Sequence, residues 1–294
     1  MKNAWYYLQF YFKAWFTGYF KKEHNNLINK EGYELTFNDE FDKPIVTYSD
    51  FINNGLDWSK WDTCSESCVS SKHMNYKDDP PNTYVVWKPN NVWINENGLV
   101  LMTDLNDTPG KPMISDWDGT SVPEPVIKSG EITTKNSFTQ TYGFFEVRMK
   151  AAPRGGMSWS CPWLLSKGGW LTEIDFGEFE GVDSTTFTNT IWRRLSSTVE
   201  MKQIAHRRWA PGVDLSEAMH IYGLDWQPDY ITFYLDNLPL WTYKGNEIPS
   251  IPMFVFVGMA VGRGFDPAGI PQEKLKELFP AFTYVDYVRV YKKL

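Results

Sequence analysis

The sequence is poor in cysteine and has no excess of positive charge. Three cysteines in 294 residues, Cys64, Cys68 and Cys161, are too few for a disulfide framework, and no second Cys or His pair completes a zinc site. Cys64 and Cys68 could close a small loop in an oxidising compartment, and two free thiols fit equally well. With 29 Lys and Arg against 36 Asp and Glu, the formal charge of −7 argues against a nucleic-acid partner.

An uninterrupted apolar run long enough to cross a membrane is also missing. The N-terminal stretch "MKNAWYYLQFYFKAWFTGYF" is apolar and aromatic, but Lys13 interrupts it and no small-residue cleavage site follows. An atypical export signal, an interfacial helix at a membrane surface and a helix packed on the domain all fit; we favour the last two. We therefore divide the chain into an aromatic-rich segment, residues 1–28, and one domain, residues 29–294.

Helical periodicity is scarce, and strand periodicity dominates. Only "PQEKLKELF", residues 271–279, has helical spacing. From Tyr33 onward, runs such as "YGFFEVRMKA" and "DYITFYLDNLPLWTYKG" alternate apolar with polar residues, and turn signals such as Asn97-Gly98 and Asp236-Asn237 separate them. Such alternation is typical of stacked antiparallel sheets. We predict an all-β antiparallel sandwich, expected to be a monomer, with an N-terminal helical or irregular appendage.

One stretch, "EIDFGEFEG" at residues 173–181, concentrates carboxylates between apolar residues. A regular strand would place Glu173 and Asp175 on one face and Glu178 on the other, beside Ile174. A bulge near Phe176-Gly177 would shift the phase and turn all three carboxylates the same way. Glycine is the residue that tolerates such a distortion best.

Clustered carboxylates suit glycoside hydrolysis with retained configuration, in which two carboxyl groups lie ~5–5.5 Å apart. One must be ionised to attack the sugar and the other must hold a proton, and crowding favours that division because like charges raise each other's pKa. A solvated acidic face and a calcium site are the alternatives. The apolar residues beside the acids argue against the first, and the lack of an Asp-rich loop argues against the second.

Six strings in order resemble glycoside hydrolase family sixteen over residues 33–294. "EIDFGE" resembles the E-[I/V]-D-x-x-E signature of this group of laminarinases, agarases, carrageenases and lichenases, in its bulged form. The other strings are "ELTFNDEFD", "SGEITTKNSFTQTYGFFEVRMKAAP", "MSWSCPWLL", "MHIYGLDWQPDYITFYLDN" and "VDYVRVYK". The resemblance implies a concanavalin-like β-jelly roll with a cleft that cuts internal β-1,3 or β-1,4 bonds of a polysaccharide.

The resemblance also implies roles for individual residues. Glu173 matches the nucleophile, Asp175 the assisting carboxylate and Glu178 the acid/base, and no cofactor is needed for this chemistry. Aromatic and basic positions that match or neighbour the cleft are candidates for binding sugar: Trp159, Trp163, Trp170, Trp192 and Arg148. For Trp163, core packing fits equally well. A structural calcium ion is implied at Glu40, Gly98 and Asp286, with some of its ligands from backbone carbonyls.

The sequence does not determine which polysaccharide is the substrate. Trp192 stands where members often have a His, and Gly177 where glucan-cleaving members often have a Met. A basic segment adds Arg193, Arg194, Lys202, His206, Arg207 and Arg208, which would pair with sulfate or carboxylate groups if they border the cleft. The candidates are a β-glucan such as laminarin and a β-galactan such as agar, porphyran or carrageenan. A non-catalytic, lectin-like sandwich and a transglycosylase are the alternatives; the substrate class favours an extracellular or cell-envelope location.

Overall fold

A computed structural model of the protein describes residues 18–21, 24, 30–42, 54–63, 69–70, 85–105, 113–114, 121–122, 127–153, 158–167, 172–179, 183–194, 201–261 and 270–294. Two predictions from the sequence, the pairing of Cys64 with Cys68 and the sugar contact of Trp170, concern residues outside this set. The same is true of Glu180, the fourth acid of the "EIDFGEFEG" stretch, and of most of the N-terminal segment.

The described residues are mainly strands. Their bounds are β1 Tyr33–Asp39, β2 Asp62–Thr63, β3 Val69–Ser70, β4 Val85–Trp87, β5 Val92–Asn95, β6 Gly98–Leu105, β7 Met113–Ile114, β8 Ser121–Val122, β9 Ile127–Ser129, β10 Glu131–Thr133, β11 Gly143–Lys150, β12 Ser158–Ser166, β13 Thr172–Glu178, β14 Phe187–Arg193, β15 Lys202–Trp209, β16 His220–Trp226, β17 Ile231–Leu235, β18 Leu238–Tyr243, β19 Met253–Val261 and β20 Ala281–Lys293. One α-helix, α1, spans Gln272–Leu278, and 3-10 turns occupy Tyr19–Lys21 and Pro89–Asn91.

Two sheets account for nearly all of the described strands. The front sheet has the order β15-β14-β13-β12-β19-β10-β2. The back sheet has the order β18-β17-β16-β11-β20-β6-β9-β4-β3, with β1 paired to β20 and β5 to β6. The pairing is antiparallel as predicted except between β4 and β9, which run parallel. Strands β7 and β8 pair only with each other within the described residues.

The apolar core lies between the two sheets. It joins Leu164 and Ile174 of the front sheet to Phe145, Phe233 and Val290 of the back sheet. Each such side chain contributes about 1.5–3 kcal/mol when it is buried. The alternating strands therefore turn their apolar residues inward, which leaves the opposite face of the front sheet for polar residues. We call that opposite face, turned away from the back sheet, the site face.

Local predictions from the sequence are confirmed. Strands β17 and β18 form the predicted hairpin, and Asp236 and Asn237 at its bend both have positive φ. Gly98, with φ +93°, begins β6 after the predicted turn; an added Cβ there would meet the Val285 carbonyl oxygen at 2.5 Å. Helix α1 lies within the segment that has helical spacing.

The described part of the N-terminal segment packs on the sandwich. Phe20 belongs to the main core, and the Tyr19 hydroxyl donates a hydrogen bond to the Asp236 carbonyl at 2.7 Å. Among the described residues no helix is long and apolar enough to cross a membrane. The boundary at residue 28 and the membrane-surface contact stay predictions.

Candidate active site

The predicted bulge is present in strand β13. Asp175 lies opposite Thr190 of β14, whereas Glu178 lies opposite Thr188, so three steps along β13 match two along β14. Ile174 and Phe176 are buried in the core. Because the extra residue lies between Asp175 and Glu178, all three acids, Glu173, Asp175 and Glu178, reach the site face.

Gly177 is required at the bulge because of the space around it. A Cβ at Gly177 would lie 2.7 Å from Cδ1 of Tyr222 and 3.0 Å from Cγ of Pro162. Tyr222 belongs to the back sheet and is fully buried in the core. The φ of Gly177 is not in the left-handed region, so packing explains the glycine here, and our expectation of backbone freedom does not. A tyrosine of one sheet thus fits under the bulge of the other.

Strand β12 accommodates the same bulge with a proline. Trp163 pairs with Asp175, and pairing with this part of the chain resumes where the Phe179 N–H donates to the Ser160 carbonyl at 2.9 Å. Pro162 lies between these two points. Because proline has no N–H to donate, it fits where the ladder between two strands is interrupted.

Asp175 is buried among other acids. It is 3% exposed, and burial raises the pKa of its carboxyl well above the usual range, with the negative charges of Glu173 and Glu178 adding to the increase. Asp175 also shares a hydrogen bond with Glu173. The Trp192 indole N–H donates a hydrogen bond to Asp175 Oδ2 at 3.1 Å, and this bond lowers the pKa of Asp175. Burial and the two neighbouring charges thus favour the protonated form of Asp175 beside Glu173.

Glu178 receives a hydrogen bond from the neighbouring strand. The Thr188 hydroxyl lies 3.0 Å from Glu178 Oε2, and Thr188 itself is fully buried. Thr190, two residues along the same face, is bonded to His206 Nδ1 at 3.1 Å. On the site face of β14, Thr188 therefore contacts Glu178 directly, whereas Thr190 contacts His206 of the next strand.

Aromatic rings cover the site face beside the acids. Trp163 is paired with Asp175 on one side and stacks on Phe256 on the other, with ring centroids 4.2 Å apart and planes 9° apart. Trp159 packs with Cys161 and Trp87. Trp159 and Trp163 therefore lie on the site face, as expected for residues that bind sugar rings, and Trp163 is not part of the main core.

Cys161 lies on the site face between the two tryptophans. Its thiol is free and buried. Burial raises the pKa of this thiol well above its usual value, and the charges of Asp175, Glu178, Glu173 and Glu131 raise it further. Because a thiolate is disfavoured in this position, Cys161 serves as a small neutral surface beside the acids.

The structure places Arg148 away from this face, contrary to our prediction. Its neighbours in β11, Val147 and Met149, point into the core, so Arg148 points to the outer side of the back sheet. There its Nη1 lies 2.7 Å from Asp286 Oδ2. The sequence string was matched correctly to a strand of the sandwich, but that strand belongs to the other sheet.

The side chains predicted to bind calcium have other partners. Glu40 accepts two hydrogen bonds from Arg289, at 2.8 and 2.6 Å, and Asp286 is paired with Arg148. Within the residues that the structure describes, no group of three or more His, Cys, Asp or Glu side chains is placed to hold a metal ion. The carboxylates of Glu40 and Asp286 are therefore paired with arginines, and the calcium ion stays a prediction.

The basic segment divides between the two faces of β15. Arg207 lies over the Trp241 ring, 5.3 Å from its centroid, on the core side. His206 and Arg208 alternate with Arg207 and are paired with Thr190 and Thr188, so they lie on the site face. Residues 195–200 are outside the described part of the chain.

Sequence reasoning missed several residues of the site face. They are Thr188, Thr190, Glu131 and Phe256, together with Trp87, which reaches Trp159 from β4 of the back sheet. Alternation in "FTNTIW" could have identified the two threonines, because residues two apart from Trp192 share its face. No local pattern indicates Trp87 or Phe256, since their places depend on which strands become neighbours.

Comparison with known proteins gives a family. Residues 80–274 match the sequence profile of Glycosyl hydrolases family 16, which is more than half of the chain. A beta-glucanase of Acetivibrio thermocellus is 33% identical over 192 residues, covering 62% of this chain and 48% of the relative. A keratan-sulfate endo-1,4-beta-galactosidase of Sphingobacterium multivorum is 25% identical over 278 residues, covering 88% of this chain and 55% of the relative. The chain thus spans about half the length of these curated relatives.

A solved structure confirms the fold. The laminarinase catalytic domain from Thermotoga maritima MSB8 is 24% identical, with a TM-score of 0.64, and the match covers 89% of this chain and 99% of that domain. At 24% identity this structural similarity supports the β-sandwich fold and nothing further. The match to the family profile, which includes the bulged strand with its three acids, shows that the chain belongs to glycosyl hydrolases family 16.

Proposed function

We propose that this protein is a retaining, endo-acting hydrolase of a β-linked polysaccharide. The observation that carries the proposal is the bulge of β13, which brings Glu173, Asp175 and Glu178 to one face. The raised pKa of Asp175 favours a proton on this group, next to the two glutamates. Family membership supports the same reaction class.

In the first step, the Glu173 carboxylate attacks the anomeric carbon. The bond from that carbon to the glycosidic oxygen breaks, and Glu178 gives its proton to the departing oxygen. Asp175 donates a hydrogen bond to Glu173 and limits the negative charge of the cluster. The product of this step is a glycosyl ester on Glu173.

In the second step, water attacks the same carbon from the side that the leaving group vacated. Glu178, now ionised, takes a proton from the water, and the bond to Glu173 breaks. Two displacements at one carbon return it to its original configuration. The proposed chemistry uses side chains alone, so no cofactor takes part.

The substrate side of the proposal rests on the aromatic rings of the site face. Trp163 is partly exposed and offers a flat apolar surface of the kind on which sugar rings stack, whereas Trp159 is 7% exposed and packs with Cys161 and Trp87. The printed names of the relatives include a beta-glucanase, a laminarinase and a keratan-sulfate endo-1,4-beta-galactosidase. We propose a β-1,3- or β-1,4-linked β-glucan first and a β-galactan second.

A substitution of the nucleophile tests the proposal. We expect Glu173→Gln to lower kcat by about 10⁴-fold or more, because the amide cannot attack the sugar. Glu273→Gln, on the surface of α1, is the matched control and should behave as the wild type. Oligosaccharide binding to Glu173→Gln should persist. Wild-type turnover in this variant would exclude Glu173 as the nucleophile.

The stereochemistry of the first product provides a second readout. Proton NMR of a fresh digest should show the β-anomer first, since the proposed route has two displacements. A first product with the α-configuration would contradict it. Binding without any hydrolysis would favour the lectin-like alternative, and longer products in the presence of acceptor sugars would favour transglycosylation.

A substrate screen should settle the sugar. Purified protein is incubated with laminarin, lichenan, agarose, porphyran and carrageenans, and reducing ends and product lengths are measured. Endo-action predicts a ladder of intermediate oligosaccharides early in the digest. Hydrolysis of sulfated galactans alone would point to His206 and Arg208 as contacts for the anionic groups.

Calcium, location and oligomeric state remain part of the proposal. A structural calcium ion near Gly98 would need backbone carbonyl oxygens, since the carboxylates of Glu40 and Asp286 are paired with arginines. If EDTA leaves the unfolding temperature unchanged, the proposal of a structural calcium ion is wrong. We also propose an extracellular or cell-envelope monomer, because a polysaccharide chain is met outside the cytoplasm.

A further inference from the structure

The acid/base candidate has a dedicated hydrogen-bond donor on the next strand. Thr188 lies directly opposite Glu178, at the point where pairing resumes after the bulge. Its hydroxyl is 3.0 Å from Glu178 Oε2 and 3.5 Å from the Glu178 backbone carbonyl oxygen. The side chain is fully buried, so water does not replace the carboxylate as its partner.

This contact distinguishes the two oxygens of the Glu178 carboxyl group. A hydroxyl has one hydrogen to donate, and the nearer acceptor is Oε2. While Oε2 accepts this hydrogen, the single proton of the carboxylic acid is carried by Oε1. The general acid therefore has one oxygen fixed by the protein and one oxygen that carries the proton.

We propose that Thr188 is a positioning residue that selects Oε1 of Glu178 as the oxygen that transfers protons. The inference rests on the proposed function. In the first step the proton leaves Oε1 for the glycosidic oxygen as the bond from that oxygen to the anomeric carbon breaks. In the second step Oε1 receives the proton of the attacking water. Thr188 donates to Oε2 throughout and is neither consumed nor charged.

Strand β14 supplies a matched control for this role. Thr190 is on the same strand and the same face, and it is buried to the same degree. Its hydroxyl bonds to His206 Nδ1 at 3.1 Å rather than to Glu178. Replacing either threonine by valine removes one hydroxyl at nearly constant volume, so the pair separates the contact with Glu178 from a general effect on packing.

The leaving group of the substrate provides a readout that a structural role would not change. Aryl glycosides are made from the oligosaccharide that the wild-type enzyme releases. One carries 2,4-dinitrophenol, which departs with little protonation, and one carries 4-methylumbelliferone, which needs more help from an acid. The value of kcat/KM is compared for the two, since it reports steps up to the first bond cleavage.

We expect Thr188→Val to lower kcat/KM about 10-fold or more on the methylumbelliferyl glycoside and much less on the dinitrophenyl glycoside, because the bond that stabilises the negative charge developing on Glu178 as it gives up its proton is lost. Thr188→Ser should restore the wild-type ratio. Thr190→Val should change both substrates by the same factor. Thr188→Ala serves as a second variant if the valine protein does not fold.

Equal effects of Thr188→Val on the two substrates would overturn the inference, and so would no effect. In either case an active wild-type enzyme leaves the proposed function intact. A wild-type protein that hydrolyses neither the polysaccharides nor the aryl glycosides would instead remove the proposed function itself.

Discussion

Asp175 of the front sheet and Glu146 of the back sheet are buried carboxylates in contrasting surroundings. Burial raises the pKa of both groups. Glu146 has cations beside it: Lys30 Nζ lies 3.0 Å from its Oε2, and Arg289 Nη1 lies 3.9 Å from its Oε1. The charged neighbours that act on Asp175 are Glu173 and Glu178, which raise its pKa further.

The difference shows two ways in which the fold neutralises a buried acid. On the back sheet a lysine supplies the opposite charge, which offsets part of the rise that burial causes in the pKa of Glu146 and fixes part of the chain near residue 30 to the sandwich. On the front sheet the charged neighbours that act on Asp175 are both acids, and its raised pKa favours a proton as the neutralising group. A cation holds a carboxylate in one state, whereas a proton can move, so only the second arrangement suits acid/base chemistry.

Of the changes that test this comparison, replacing Asp175 should have the largest effect on activity. Asp175→Asn keeps the shape but cannot exchange a proton with Glu173, and we expect kcat to fall by about 10²–10⁴-fold. Assays of kcat across pH 4–9 provide the measurement. Activity within a few-fold of the wild type would show that the raised pKa has no part in turnover.

The same variant should gain stability at neutral and alkaline pH. A carboxyl whose pKa is raised by folding stabilises the protein below its unfolded value, about 3.9, and loses that contribution as the pH rises through the folded value. Asn has no such loss, so the free energy of unfolding at pH 8 should exceed that of the wild type by about 1–2 kcal/mol. Urea titrations at pH 4 and pH 8 should show a difference that disappears at the lower pH.

Moving the acids relative to each other should have the next largest effect. Gly177→Ala places a methyl group 2.7 Å from Tyr222 Cδ1, so the bulge must shift. We expect a loss of about 1–3 kcal/mol in unfolding free energy and a fall in kcat of about 10²-fold, because Glu178 is displaced. In a Tyr222→Leu background the same substitution should cost less. Equal costs in the two backgrounds would mean that the ring does not set the bulge.

Breaking the charge pair of the back sheet should change stability alone. Glu146→Gln leaves Lys30 with no opposite charge at 3.0 Å, and we expect about 3 kcal/mol less unfolding free energy. The kcat of the folded protein should stay at the wild-type value, since this group lies on the other sheet. Adding Lys30→Met should recover part of the loss. A fall in kcat without a fall in stability would contradict the comparison.

The smallest effect is expected at the donor to Asp175. Trp192→Phe removes the indole N–H that lies 3.1 Å from Oδ2, and a neutral hydrogen bond is worth about 1 kcal/mol. We expect kcat to fall about 5-fold. Trp192→His retains a ring N–H and should lie nearer the wild type. No change in Trp192→Phe would show that Asp175 holds its place without this bond.

The sequence predicted the site better than its surroundings. The phase shift at Gly177 could be deduced because the alternation of faces is a local property of one strand. The positions of the acids in the sequence show where this alternation is interrupted. The position of the three acids on one face was deduced in this way. The reason for the glycine could not be deduced, since Tyr222 is distant in sequence and belongs to the other sheet.

The errors come from pairing between distant strands. Alternation in β11 correctly separates Arg148 from Val147, but it does not tell which sheet contains β11. The parallel pair of β4 and β9 and the contact of Thr188 with Glu178 are also decided by pairing between separate strands. Local patterns give the face of a residue, and only the assembled sheets give its neighbours.

Because of the bulge, strand β13 contains one residue more than a regularly alternating strand would need to present the same acids. If Gly177 were deleted, the run E-I-D-F-E would alternate regularly and would present the same three carboxylates to the same face. The pairing of β13 with Thr188 and Thr190 would then continue without a step. Loss of this one codon would therefore keep the three acids on one face, so a gene of this kind can shorten here without separating them.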